Sequence, residues 1–216
     1  MPPAAWRQSR INTCGPACLM VALHELGAGG LSREREMAIW KKVRHALVLG
    51  STPARIAEYA LSQGLDARLW VRSGPGRGAI RGKTPVQRLL HRYLHRVYSR
   101  TAARHRRLGH PLAEYREEPE LLGLLRPEMG SESIHLVYDN DEILHFILVR
   151  RHGGDLWVMD PDPGTNRRFG EEEFLRTLGP RMVGYAVLMH RGDPDRPGTA
   201  ATGAARAPFS RRANGL

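Results

Sequence analysis

The sequence has little cysteine, little lysine, few aromatic rings and no long apolar run. Cysteine occurs twice in 216 residues, as Cys14 and Cys18. That is too few for a disulfide scaffold, and it fits a reducing compartment. On a helix, positions four apart share a face but seldom close a disulfide without distortion. The apolar runs are short, such as Cys18 to Leu23, whereas a bilayer-spanning helix takes about 20 such residues. The opening residues, MPPAAWRQSR, lack the apolar stretch of a signal peptide. A cytoplasmic protein without a membrane span is the expectation.

The chain is 41% hydrophobic and 25% charged. This balance is close to the globular average and excludes collagen-like, coiled-coil and wholly disordered classes. The length suits one domain with an insertion or a tail. The net charge of +11 is unevenly made. Only Lys41, Lys42 and Lys83 among 33 basic residues are lysine, an arginine bias that can reflect codon composition. No acidic residue lies between Asp66 and Glu114, an interval holding eleven arginines and Lys83. The rest of the chain is nearly neutral.

A helix is expected to start at or just after Cys14, with Pro16 in its first turn. Its run Ala17 to Leu23 is apolar on nearly every side, as in a buried central helix. A second helix, 33–47, presents Met37, Ile39, Trp40, Val43 and Leu47. A third, 53–63, is capped by Ser51 or Thr52, started by Pro53 and stopped by Gly64. Residues 66–72 alternate as a strand, and 73–83 read as a loop. A long helix follows to about residue 107, its apolar stripe formed by Val86, Leu89, Leu90, Tyr93, Leu94 and Val97. A short helix around 119–125 comes next. Strands are expected at 134–138, 143–149, 156–159 and 182–190, with turns at 152–155 and 160–164 and a short helix at 171–178. Helices first and an antiparallel sheet after them indicate an α+β fold. The domain is read as 1–190, with 73–132 a basic, mostly helical insertion and 191–216 a disordered tail.

Cys14 falls where free N–H groups and the helix dipole favour a thiolate. Cys18, one turn deeper, reads as a small buried hydrophobe. Gln8 lies six residues before Cys14. A side-chain amide there can donate to an oxyanion, together with the Cys14 backbone N–H. His145 opens one strand and Asp160 ends the next. In a hairpin the two become neighbours, as a base and the group orienting it must be. Asp162 competes for that role, but in a β-turn it more readily bonds its own backbone, so Asp160 is preferred.

The stretch Gln8…Asn12-Thr13-Cys14-Gly15-Pro16-Ala17-Cys18-Leu19-Met20 resembles the start of the papain-like peptidases that cut double-glycine leaders from bacteriocin precursors. Thr13 stands where that family usually has aspartate. His145-Phe146-Ile147-Leu148-Val149, then Leu156 to Pro161, Gly164, Arg168 and Glu173-Phe174, are similar to the family's histidine strand, Asp-Pro turn and closing helix. Residues 51–65 resemble its third helix. The resemblance covers roughly 8–72 and 133–190. It implies a papain-like fold, Cys14 as nucleophile, His145 as base, Asp160 as orienting group and Gln8 at the oxyanion hole, with no cofactor. It implies a cysteine peptidase acting on a peptide or protein through a thioester. The same chemistry serves deamidases and transglutaminases, and a non-catalytic leader- or partner-binding module could keep the fold. The chain carries no phosphate-binding loop and no apolar spans, unlike the family's transporter-linked members.

Two further signals are weaker. His91 and His95, four apart, lack the glutamate of the zinc-protease pattern and are flanked by arginines, so no metal is expected. Arg88, Arg92, Arg96, Arg100 and Arg104 recur every four residues. They read as a solvated helix face, as a grip on an acidic peptide or protein substrate, or as a contact for nucleic acid or anionic lipid.

Overall fold

The computed structural model describes residues 2–48, 50–73, 84–125, 132–139 and 143–191. The loop expected at 73–83 and the tail expected at 191–216 fall almost entirely outside these residues.

Three helices come first: α1 (Cys14–Glu25), α2 (Arg33–Val43) and α3 (Pro53–Ser62). α1 is apolar all round because it is buried all round, from Cys14 to Leu23. Thr52, not Ser51, caps α3, its hydroxyl accepting from the Arg55 N–H at 3.4 Å. α2 ends at Val43, four residues before the expected limit. Arg44 turns extended, and the short ribbon β1 (Arg44–His45) and β2 (Gly50–Ser51) follows. Leu47, assigned to the helix from its spacing, is instead an exposed residue between these strands.

Among the described residues the sheet has seven strands: β3 (Asp66–Arg72), β4 (Leu112–Tyr115), β5 (Glu132–Asp139), β6 (Ile143–His152), β7 (Asp155–Asp160), β8 (Thr165–Gly170) and β9 (Met182–His190). Their order is β4-β3-β9-β5-β6-β7-β8. Every pairing is antiparallel except β3 with β4. The α+β class, helical first half and antiparallel second half, holds. β4 and β8 are the strands the alternation did not reveal: β4 is only four residues long, and the edge strand β8 reads Thr-Asn-Arg-Arg-Phe-Gly.

Alternation along β6 feeds two cores. Phe146 and Leu148 join α1 and α3 on one side. Ile147 and Val149 join Phe169 and Phe174 on the other. Phe174 belongs to α6 (Glu171–Thr177), which follows β8 directly. α5 (Glu118–Leu122) is short, and its Leu122 enters that second core.

α4 (Pro85–Arg107) is the long helix expected, and its apolar stripe is only partly covered. Of its proposed apolar stripe only Val97 is buried, with Leu94 partly so. Val86, Leu89, Leu90 and Tyr93 are exposed. The helix meets the body with a different side of its C-terminal half, through Val97, Tyr98, Ala102 and His105. Its spacing predicted an amphipathic helix correctly but not how much of its length is covered.

Candidate active site

The first residue of α1 is Cys14. Thr13, just before it, gives its hydroxyl to the Arg10 carbonyl at 2.8 Å and accepts the Arg10 N–H at 3.1 Å. It therefore closes the loop ahead of the helix and leaves the first-turn N–H groups uncapped by a side chain. Those groups and the dipole stay directed at the Cys14 region. Gly15 lets the turn lie on the sheet. A Cβ there would stand 3.1 Å from both the Phe146 ring and the Ile56 side chain.

β6 supplies the second group. The β6–β7 register pairs Leu148 with Met159, so Asp160 comes level with Ile147, one same-face step from His145. His145 Nε2 and Asp160 Oδ1 are 2.8 Å apart. The Cys14 thiol lies near enough to the imidazole to help raise its pKa. With Nε2 held by the carboxylate, Nδ1 is the nitrogen left for sulfur. The hairpin expectation is met: three side chains from α1, β6 and β7 converge.

Their electrostatics reinforce one another. Burial lowers the His145 pKa, but the hydrogen bonds and charges of Asp160 and Cys14 outweigh it and raise the value to about 10. Burial raises the Asp160 pKa, yet the bond to His145, the Asp162 N–H and the Arg181 charge bring it below the ordinary carboxylate value.

Gln8 bonds to the turn after Asp160. Its Nε2 donates to Asp162 Oδ1 at 2.8 Å, and its backbone N–H donates to the Pro161 carbonyl at 2.7 Å. Asp162 thus uses its carboxylate for Gln8 and not for its own turn. The turn is held instead by Asp160 Oδ1, which accepts the Asp162 N–H at 3.0 Å. Gly164, with φ +70°, completes it, and a Cβ there would stand 2.6 Å from Arg7 Cβ. The N-terminal arm can cross the Asp160–Gly164 turn this closely only because residue 164 has no side chain.

Spacing did not single out Glu36. Fully buried in α2, its carboxylate accepts Trp6 Nε1–H at 2.8 Å, Ser9 Oγ–H at 2.7 Å and the Ser9 N–H at 2.8 Å. It anchors the arm carrying Gln8 and leading to Cys14. The available signal was an acid three residues before Ile39 and seven before Val43, on the helix's buried line.

Two other histidines have partners within the fold, and the side chain of His91 lies outside the described residues. His135 is buried, its Nε2 2.7 Å from Ser133 Oγ, and burial lowers its pKa to about 4. His95 Nδ1 lies 3.4 Å from Tyr185 Oη. No helix among the described residues is long and apolar enough to cross a membrane.

Residues 4–108 match the family described as Peptidase_C39 like. That span contains Gln8 and Cys14 and stops before His145 and Asp160. No curated protein matches. Among solved structures the chain is similar to the peptidase domain of Streptococcus ComA, a bi-functional ABC transporter involved in a quorum sensing pathway. The identity is 16% over 86% of this chain and 96% of that one, with a TM-score of 0.45.

Proposed function

We propose that this chain is a papain-like cysteine peptidase that hydrolyses a peptide bond in a peptide or protein substrate. The observation that carries the reading is the contact series Cys14–His145–Asp160, closed at 2.8 Å between imidazole and carboxylate. Each group has a role in this chemistry. The Cys14 sulfur, its proton held on His145, attacks the carbonyl carbon. The oxyanion is met by the Cys14 backbone N–H and the Gln8 N–H not spent on Asp162. His145 then protonates the leaving amine as the C–N bond breaks, leaving a thioester. Water attacks the thioester, giving its proton to His145. The C–S bond breaks, and the acid and the free thiol are released. Asp160 keeps the ring orientation and tautomer throughout. A double-glycine leader is the narrower candidate substrate, implied by the resemblance of residues 8–20.

The test is mass spectrometry of a proteome treated with the protein and with Cys14→Ala. New peptide termini, absent with the variant, are expected. Gains of about one mass unit at glutamine or asparagine without new termini would mean a deamidase using the same thioester. Crosslinks to lysine would mean a transglutaminase. Identical proteomes with both proteins would reject catalysis of all three kinds. For Gln8→Ala, loss of one oxyanion donor predicts a rate about 10²–10³ lower. An unchanged rate removes Gln8 from the site.

A further inference from the structure

α4 is packed along only half its length. Its C-terminal half meets α3, and its Tyr98 ring lies edge-on to Tyr185 of β9 at 5.6 Å. In the N-terminal half Val86 is 75% exposed, Leu89 69%, Leu90 52% and Tyr93 43%. These positions follow at i, i+3, i+4 and i+7, so they form one flank. Tyr93 Oη donates to the Leu47 carbonyl at 3.0 Å. This brings the exposed Leu47, between β1 and β2, beside the same flank. A contiguous apolar patch of this kind marks an interaction site.

The charge on this helix has one sign. Residues 85–107 contain no acid. Arg88, Arg92 and Arg96, all exposed, occupy the adjoining flank. Arg100 and Arg104, seven and eleven residues past Tyr93, continue the apolar line toward the C-terminus. At Arg104 the line reaches an open cleft of about 300 Å³ between α2, α3 and α4, lined by Lys42, Arg55, Glu58, Tyr59 and Arg104. Three cations face one carboxylate there. Arg55 gives one nitrogen to the Arg44 carbonyl at 2.7 Å and keeps its other donors.

We propose that this flank of α4, with the adjoining basic cleft, docks on an anionic bilayer surface. Val86, Leu89, Leu90 and Leu47 enter the headgroup–acyl boundary. The arginine stems lie along it with their guanidinium groups on lipid phosphates, and the cleft takes a headgroup. The geometry favours this occupant over two others. A helix flank whose Val86 is three-quarters exposed has no walls to grip an extended peptide. A nucleic acid would match the arginines but would leave the three aliphatic side chains on α4 in water. The docking uses no atom of Cys14, so it stands or falls apart from the proposed peptidase activity.

Sedimentation of the full chain with vesicles tests it. Vesicles of phosphatidylcholine mixed with phosphatidylglycerol are expected to carry the protein down, and phosphatidylcholine alone is not. The double variant Leu89→Asp/Leu90→Asp is expected to lose binding by about tenfold or more, as is Arg100→Glu/Arg104→Glu. Thiol labelling of Cys14 should be unchanged in both, showing an intact fold. Cys14→Ala should bind like the parent. Equal sedimentation with both vesicle types, or full binding by the leucine variant, overturns the proposal. A solution dimer dissolved by Leu89→Asp/Leu90→Asp assigns the face to a second copy and overturns it too. So does binding to double-stranded DNA, or to an acidic peptide, by a protein that ignores anionic vesicles.

Discussion

The first and second turns of α1 carry the same side chain over successive residues of one strand, and the strand treats them in opposite ways. Cys14 meets the His145 side chain. Cys18, fully buried, points its Sγ at the Phe146 carbonyl, 3.4 Å away. Burial, and after it the nearby charges of Cys14 and Asp160, push the Cys18 thiol pKa well above its usual value. A thiol whose pKa is pushed up this way offers little thiolate and reacts slowly. Reactivity therefore depends on what a turn of helix faces, and 5.4 Å of helical pitch is enough to change it.

Alkylation should break this comparison open or confirm it, and the effect expected is the largest of all. Iodoacetamide at neutral pH is expected to modify Cys14 and leave Cys18 untouched, as read by mass spectrometry of peptides. Cys14→Ala should abolish turnover. His145→Ala should slow both turnover and Cys14 labelling by about 10²-fold or more, the range for losing a positioned base. Slow, equal labelling of the two sulfurs would make the two turns equivalent and remove the site.

Glu36 sharpens the contrast from a distance. It touches neither thiol, yet its carboxylate takes three hydrogen bonds from the arm that leads to Cys14. Glu36→Ala leaves those donors unpaired and should cost about 3 kcal/mol in urea unfolding. Cys14 labelling should fall, while Cys18 stays silent. Glu36→Gln keeps one accepting oxygen and should give an intermediate loss. If Cys14 labelling in Glu36→Ala equals that of the parent at a temperature where both are folded, the arm does not position the site.

The sequence made some parts of this arrangement legible and hid others, for reasons that can be named. The buried helix behind Cys14 was plain because no polar residue interrupts 17–23. The nearness of His145 and Asp160 followed from two strands and a glycine turn, since a hairpin leaves little freedom in register. Gln8 is singled out by residue type, but its bond to Asp162 joins residues 154 positions apart, which spacing cannot show. Glu36 was hidden because a charged residue on a charged helix reads as solvated until the arm is seen to cover it. In α4, periodicity reports amphipathicity and not burial. An apolar flank looks the same in sequence whether the protein or something else covers it.

Acidity separates the two turns more gently. The His145 pKa is raised in the folded state, so the stability it contributes is fully present below its ordinary value of about 6.5. That contribution is lost as pH rises through about 10. Asp160 runs the other way. Its pKa is lowered, so its share is present above the ordinary carboxylate value and fades as pH falls through the lower, folded one. Thermal midpoints for the parent and His145→Ala should therefore differ most at mildly acidic pH, below about 6.5 and above the carboxylate range, and converge above about pH 10. A difference that stays constant across that range would show that the imidazolium is not held by its neighbours.

Cys18→Ala is expected to have the smallest effect. The sulfur fills core space and donates one weak hydrogen bond, so its removal should cost about 1 kcal/mol. Turnover and Cys14 labelling should remain near those of the parent. The variant bears on the comparison more than its size suggests. The first turn rests on Phe146 and Ile56 through Gly15, and the second rests on the Phe146 backbone. If removing the Cys18 sulfur lowers Cys14 reactivity strongly while stability barely changes, the two turns are coupled through β6. The seat of Cys14 would then be set by the whole contact between α1 and the strand, and not by its own turn.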